Sequence, residues 1–367
     1  MEKLSLCFNG NDFANFVSFV KSMNSRDKSR AKRAVLLHVE DNYLVCRAID
    51  DASNFLEYKV DLCNDCENSI TEQFAVSITD LAALIKCSES NSFSIRKSFN
   101  QFEFNVIGNG WLPFNTVDVD YDRYNISGVE TEIGKINSAK LRTAISSVLG
   151  YTQEYTYARD KYIQFSKTQM VVTSRLSSVI THDDFVDMTL HRDDAALLKS
   201  LLKDDGDISV VKIEGDVERL AFVNNKFKFI VIAAGIDQPS ANYIENINNY
   251  MSIDCNELYK LAAFSEEYPA SKHIVGIKIK DGKFCVNVKN ILATKHTSII
   301  NATCHGDVSD TKEAEVPAHS LLKSLKLFQD KRSRDINIYL TDEMLEKQNS
   351  IVLFDENTQA IINIYNR

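Results

Sequence analysis

Ser320-Leu321-Leu322-Lys323-Ser324-Leu325-Lys326 reads almost letter for letter like an earlier stretch, Ala196-Leu197-Leu198-Lys199-Ser200-Leu201-Leu202-Lys203, and both resemble Asp80-Leu81-Ala82-Ala83-Leu84-Ile85-Lys86. In each, apolar residues recur at three- and four-residue steps and a lysine closes the run, the pattern of a short amphipathic helix. The copies stand about 120 residues apart, so the chain is a repeat before it is anything else.

Working outward, the neighbours of each copy repeat as well. Upstream lies a second helical pattern opened by Asn or Asp: Asn11-Asp12-Phe13-Ala14-Asn15-Phe16-Val17-Ser18-Phe19-Val20-Lys21, then Asn137-Ser138-Ala139-Lys140-Leu141-Arg142-Thr143-Ala144-Ile145, then Asp254-Cys255-Asn256-Glu257-Leu258-Tyr259-Lys260-Leu261-Ala262. A short polar side chain at that position can accept from the first free N–H groups of a helix. Between the two helices falls a hairpin, over 34–49, 162–173 and 275–288, the last turning at Asp281-Gly282, a strong two-residue hairpin signal. Downstream come alternating strands, first at Phe93-Ser94-Ile95, Ile208-Ser209-Val210 and Ile336-Asn337-Ile338, then over 101–107, 219–233 and 350–365. Polar stretches at 125–128 and 246–249 separate the units. The expected fold class is therefore α+β, three copies of one domain with two helices packed on antiparallel sheets, at 1–127, 128–248 and 249–367.

Composition agrees. A chain of 367 residues, 44% hydrophobic and 25% charged, can fill two or three cores and is of the soluble globular class. No run of 18 apolar residues occurs, so no membrane helix is expected. Residues 1–8 alternate like a strand rather than like a secretion signal, and a cytoplasmic protein is expected. The eight cysteines are scattered and suit reduced thiols. Cys63 and Cys66 have ligand-like spacing, but no second pair stands near them, so no metal and no cofactor is expected.

Motifs for catalysis fail on inspection. His182-Asp183-Asp184 matches a phosphohydrolase pair with no companion helix to supply further ligands. Asp118-Val119-Asp120-Tyr121-Asp122 starts like a calcium loop, yet Arg123 and Val129 occupy the places that need Gly and Glu. Gly108-Asn109-Gly110 leads into Trp111 instead of a helix, and no phosphate-loop lysine follows. An enzyme is not expected.

The order of elements, the total length, and the segments 141–165, 250–288 and Val171-Val172-Thr173-Ser174-Arg175-Leu176 together resemble the DNA sliding clamps of the bacterial polymerase III β-subunit type. The likeness spans essentially the whole chain, though its motifs are diffuse. It implies a homodimer, two three-domain subunits closed head to tail into a ring with helices inside and sheets outside. It further implies a processivity factor, with double-stranded DNA, a DNA polymerase and a clamp-loader ATPase as partners. The runner-up is a clamp-like scaffold that binds proteins and not DNA.

On that resemblance, DNA would be met by Lys21, Arg26, Lys28, Arg30, Lys32 and Arg33 after the first helix, by Arg142, Arg159, Lys161, Lys199 and Lys203 in the second repeat, and by Lys260, Lys323 and Lys326 in the third. Lys331, Arg332 and Arg334 extend that last group. The net charge of −9 then requires an acidic outer surface. The resemblance also implies an apolar pocket for partner peptides between the second and third domains, matched here by Ile163, Thr173, Arg175, Leu176, Pro239, Ile361, Ile362 and Ile364. Two departures from the bacterial pattern are visible: a shortened stretch at Thr173-Ser174-Arg175-Leu176, and a C-terminus without the usual proline and methionines. With the richness in Asn, Lys and Ile, they point to a divergent clamp encoded by a bacteriophage.

Overall fold

The computed structural model describes residues 5–23, 34–63, 70, 72–86, 92–98, 101–106, 110–152, 161–174, 177–203, 206–235, 243–267, 273–289, 295–329, 335–347 and 349–365. The first repeat runs β1 (Ser5–Asn9), α1 (Gly10–Met23), β2 (Ala34–Glu40), β3 (Tyr43–Ile49), β4 (Phe55–Asp61), β5 (Phe74–Ser77), α2 (Ile78–Lys86), β6 (Ser92–Ser98), β7 (Gln101–Val106) and β8 (Gly110–Phe114). The second runs β9 (Val129–Asn137), α3 (Ser138–Val148), β10 (Tyr162–Phe165), β11 (Gln169–Thr173), β12 (Ser177–His182), β13 (Met188–His191), α4 (Arg192–Leu201), β14 (Asp207–Glu214), β15 (Arg219–Val223) and β16 (Phe227–Ile232). The third runs β17 (Tyr250–Asp254), α5 (Cys255–Glu267), β18 (Ile274–Lys280), β19 (Lys283–Lys289), β20 (Lys295–Ile300), β21 (Ala302–His305), β22 (Ala314–Pro317), α6 (Ala318–Gln329), β23 (Asp335–Tyr339), α7 (Asp342–Lys347), β24 (Ser350–Phe354) and β25 (Thr358–Asn363).

Asn137 and Asp254 cap the helices they were read as opening, whereas α1 starts at Gly10 and is capped by Asn9 instead of being opened by Asn11. Asn9 Oδ1 accepts from the N–H groups of Asn11 and Asp12, Asn137 Oδ1 from Lys140, and Asp254 Oδ1 from Asn256 and Glu257, at 2.8–3.1 Å. At the hairpin turn Asp281 and Gly282 both have positive φ, 51° and 66°, as a two-residue hairpin loop demands. Two further features differ from the expectation. Helix α4 stops at Leu201, leaving Leu202 and Lys203 beyond it, and the third repeat carries α7, started by Thr341 Oγ1 accepting from Met344 N.

Strand pairing shows how the repeats are built. Each repeat makes two four-strand arrays: β1-β6-β7-β8 and β5-β2-β3-β4 in the first, β9-β14-β15-β16 and β13-β10-β11-β12 in the second, β17-β23-β24-β25 and β22-β18-β19-β20 in the third. Successive repeats then merge edge to edge. β4 pairs with β16 to give an eight-stranded sheet, and β12 pairs with β25 to give a nine-stranded sheet that β21 extends along β17.

By contact density the chain gathers into two compact units, Met1–Arg142 with Asp193–Ala233 and Thr143–Arg192 with Ala234–Arg367, so the second repeat is shared between them. In the first unit, Phe8, Phe13, Phe16, Phe93 and Phe104 pack ring to ring, Phe8 on Phe13 at 4.8 Å between centroids. In the second, α5 and α6 send Leu258, Ala262, Leu321, Leu325 and Phe328 into one core with Met251, Ile253, Ile338 and Leu353 of the nine-stranded sheet and Ile277, Phe284 and Val286 of the smaller one. Stripping water from this much apolar surface is the main force holding such layers together.

Candidate nucleic-acid and partner surfaces

The six helices that recur, α1 to α6, carry nine basic side chains and seven acidic ones, a net of +2 against −9 for the chain. The acid excess therefore lies on strands and loops. Among the residues singled out from the sequence, Lys21, Arg142, Lys260 and Lys326 are exposed on helices, Lys199 and Lys323 are half-buried on α4 and α6, Lys161 precedes β10, and Lys203 follows α4. Arg26, Lys28, Arg30, Lys32, Arg33, Arg159, Lys331, Arg332 and Arg334 lie outside the described residues.

Two local arrangements make chemical sense of these positions. In the second unit the Lys323 ammonium is held below the ordinary lysine range, first by burial and then by the Arg192 guanidinium at the start of α4. His319, one turn earlier, is lowered by burial and then by Lys323, with Glu266 acting in the opposite sense. Like charges gathered at one place are suited to an anion supplied from outside. The sequence pointed to Lys323 and missed Arg192, whose acidic neighbours Asp193 and Asp194 mask it in any count of charge runs.

In the first unit a cavity of about 170 Å³ is lined by Asp12, Asn15, Ser18 and Ser22 of α1, by Ser200 and Lys203, and by Lys226. Lys226 Nζ is paired with Asp12 Oδ2 at 3.0 Å, while Lys203 Nζ donates to the neutral Asn15 Oδ1 at 3.0 Å. Among the described residues Lys203 Nζ thus meets a neutral amide rather than a carboxylate, in a groove rich in hydroxyl groups, a set that can bind a phosphate without reading a base. The signal was available in the sequence: Asn11, Asn15, Ser18 and Ser22 recur at three- and four-residue steps.

The proposed peptide pocket resolves by strand alternation. Thr173, Ser178 and Ile361 are directly opposed across β11, β12 and β25, so they share one face of the nine-stranded sheet, and all three are partly exposed. Ile163 stands in the neighbouring row with Val172, Val179 and Ala360, facing the core, and both Ile163 and Ile362 are fully buried. Ile364 packs half-buried against the core, its N–H bonded to the Asn349 carbonyl at 2.7 Å. Arg175, Leu176 and Pro239 lie outside the described residues.

Gln359, which sequence inspection passed over, organises that face. It is 1% exposed and shares the face of Ile361. Its Oε1 accepts from Ile244 N at 2.9 Å and its Nε2 donates to Ile244 O at 2.7 Å. One buried amide thus mimics a strand neighbour and clips the segment at 243–245 onto the sheet. Tyr243 sits against His182 on the same face at 5.4 Å.

Two sheet edges bear on the pairing between repeats. No strand among the described residues pairs with the outer side of β8 or of β20. Leu112 of β8 is 43% exposed and Ile299 of β20 is 60% exposed. Beside Leu112, Trp111 is covered by the Arg96 guanidinium at 4.0 Å. A helix position tells the same story. Counted from the caps Asn9 and Asp254, Phe19 and Phe264 occupy the same place; Phe19 packs on Phe229 of β16 in the next repeat at 5.7 Å and is 6% exposed, whereas Phe264 is 48% exposed. Among the described residues no group of three or more His, Cys, Asp or Glu is placed to hold a metal, and no helix is long and apolar enough to cross a membrane.

No protein-family model matches the chain, and no curated protein matches it by sequence. Solved structures do match. A DNA polymerase III subunit beta sliding clamp from Pseudomonas aeruginosa, bound to griselimycin, superposes with a TM-score of 0.78 at 14% identity, covering 100% of both chains. The DNA polymerase III subunit beta from Borrelia burgdorferi, in complex with a natural product, gives 0.74 at 12%, over 100% of this chain and 99% of that one. The beta subunit from Thermotoga maritima gives 0.76 at 10%, over 99% and 100%.

Proposed function

We propose that this chain, which has the sliding-clamp fold, is a DNA sliding clamp: a non-enzymatic processivity factor that encircles duplex DNA and tethers a polymerase to it. Its domains are 1–127, 128–248 and 249–367. Two subunits close head to tail into a six-module ring, loaded by a clamp-loader ATPase. The observation that carries the proposal is the unfinished pattern of seams. Within the chain, the last strand of one array pairs with the last strand of the next repeat, β4 with β16 and β12 with β25. By the same rule β20 would pair with the β8 of another copy, since no strand among the described residues pairs with the outer side of either, and Phe264 is 48% exposed where Phe19 is 6%. A second copy supplies that pairing, and two such joints close the assembly into a ring.

Retention follows from topology and charge rather than from base recognition. Lysines and arginines on the helices attract phosphate by a salt-sensitive, sequence-independent force, and the acidic remainder of the chain keeps DNA off the outside. Arg142, Lys199, Lys203, Lys260, Lys323 and Lys326 serve this role, with Arg192 and the basic residues between 26 and 33 added to them. Partner peptides anchor on the face that bears Thr173 and Ile361, beside the segment clipped by Gln359, and Ile364 borders it. The protein acts in the cytoplasm, and its divergence from bacterial sequences fits a clamp of bacteriophage origin.

Light scattering on the purified protein is expected to give twice the 41.5 kDa chain mass. A trimer contradicts the proposal, and so does a monomer at micromolar concentration. On loaded circular DNA, charge reversal of Arg26, Lys28 and Arg30 is expected to shorten retention. Unchanged retention would favour a scaffold that binds proteins only.

A further inference from the structure

The half-buried thiols of Cys7 and Cys63 face each other with their Sγ atoms 3.2 Å apart. Cys7 lies in β1 and Cys63 follows β4. The bridge between Phe8 and Leu62 sets residues 7 and 63 directly opposite one another, and Cys63 N donates to Cys7 O at 2.9 Å. Hydrogen-bonded antiparallel partners have Cα atoms about 5.5 Å apart. That separation falls inside the roughly 4.4–6.8 Å found for disulfides, so bond formation needs side-chain rotation and no backbone movement.

The other described cysteines do not share this setting. Cys46, Cys255 and Cys285 are buried, and burial pushes the Cys46 thiol well up and the Cys255 thiol to about 11, which keeps those two protonated and inert. Cys304 is exposed, its sulfur resting on the Gly282 carbonyl at 3.7 Å.

We propose that Cys7 and Cys63 form a thiol–disulfide exchange site for low-molecular-weight disulfides of the glutathione class. One protein thiolate attacks a sulfur of the small disulfide, forming a mixed disulfide and releasing one small thiolate. The second protein thiolate then attacks the protein sulfur of that mixed disulfide, closing the Cys7–Cys63 bond and releasing the second small thiolate. Both released thiolates take up the protons lost by the cysteines, so two protein thiols are oxidised while one small disulfide is reduced to two thiols. The bond ties β1 to the end of β4 and closes a 56-residue span. It thereby restricts the unfolded chain and raises stability reversibly. Nothing in this depends on DNA or on ring closure.

Native protein is treated with excess oxidised glutathione, quenched with acid, and examined by intact mass and peptide mapping. The expected product has Cys7 linked to Cys63 and, among the other described cysteines, a glutathione adduct on Cys304 alone, with a melting midpoint several degrees higher that returns on reduction. Cys7→Ser is expected to leave a stable adduct on Cys63, and Cys63→Ser one on Cys7. Stable adducts on both cysteines of the unmutated protein overturn the proposal. So does a link from Cys63 to Cys66, which would assign the exchange to the C-x-x-C pair instead.

Discussion

Replacing Phe264 by Ala tests the seam rule at the joint that is not covalent. A phenylalanine buries roughly 150–250 Å² when fully packed. With 48% of Phe264 exposed in the single chain, about 100 Å² remains to be covered by a second copy. At about 25 cal/mol per Å² this is about 2.5 kcal/mol per joint. A head-to-tail dimer has two joints that separate together, so the substitution should weaken dimerisation by about 5 kcal/mol, on the order of a thousand-fold or more in dissociation constant. Sedimentation equilibrium over a concentration series measures that constant directly, and a circular dichroism melt confirms that the subunit still folds. Phe19→Ala is the companion variant. It removes the same ring at a seam inside the chain, and is expected to cost about 3–5 kcal/mol of folding stability while leaving the dimer constant alone. If Phe264→Ala folds normally and dimerises within threefold of the parent, the assignment of α5 and β20 to the subunit joint is wrong.

Other outcomes follow from the same geometry. Gln359→Leu leaves both the N–H and the C=O of Ile244 without their side-chain partner, at about 1–3 kcal/mol for a stranded group, read by urea denaturation; a loss below about 0.5 kcal/mol would mean water replaces the amide. Lys323 is depressed in the folded protein relative to its ordinary 10.5, so the unfolded chain binds more protons between the two values. Stability should therefore rise as pH climbs from the depressed range towards 10.5, and Lys323→Met should flatten that rise relative to the parent. Lys203→Gln should lower the slope of log affinity against log salt by about one for short duplexes if Lys203 meets one phosphate; an unchanged slope removes it from the DNA surface. Deleting residues 364–367 should abolish polymerase stimulation while leaving the melting curve close to the parent's, and undiminished stimulation would take Ile364 out of the peptide site.

The helices were legible because their information is local. Asn137 and Asp254 cap what they were expected to cap, the first helix is capped two residues before the expected Asn11, by Asn9, and three lysine-terminated leucine runs at one spacing leave few alternatives. Strand facing was less legible. Ile361, Ile362 and Ile364 look alike as a cluster at the end of the chain, yet a one-residue step turns a strand side chain to the opposite face, and only the pairing of β25 with β12 shows that Ile361 points outward and Ile362 inward. Gln359 was invisible for a related reason: a glutamine in a strand reads as solvent-facing, and its burial depends on Ile244, 115 residues away. The merging of sheets between repeats was likewise beyond sequence patterns, since nothing local in β4 or β16 marks them as partners. Charge was misleading in sum and informative by element, with the helices positive inside a chain of −9.

The three kinds of joint also differ in what can break them, and that difference bears on how such a ring would open. The β4–β16 joint carries a strand ladder, the Phe19–Phe229 contact and the ties of Lys226 to Asp12 and Lys203 to Asn15. The β12–β25 joint has its own ladder, the Gln359 clip and the bond from Tyr151 Oη to Ser324 Oγ at 2.6 Å, whose burial pushes the tyrosine hydroxyl far above its usual range. Chain connectivity backs both, so a local rupture there reseals at high effective concentration. The proposed joint of β20 with β8 of a second copy would have no such tether. Its strength would rest on one ladder and on apolar groups exposed in the single chain, such as Leu112, Ile299 and Phe264, and a loader prising it apart would take nothing from either core. Opening should therefore occur at that joint alone, and a cysteine pair engineered across it, from β20 of one subunit to β8 of its partner, should block loading onto circular DNA when oxidised and restore it when reduced. Loading that persists through the oxidised joint would place the gate elsewhere.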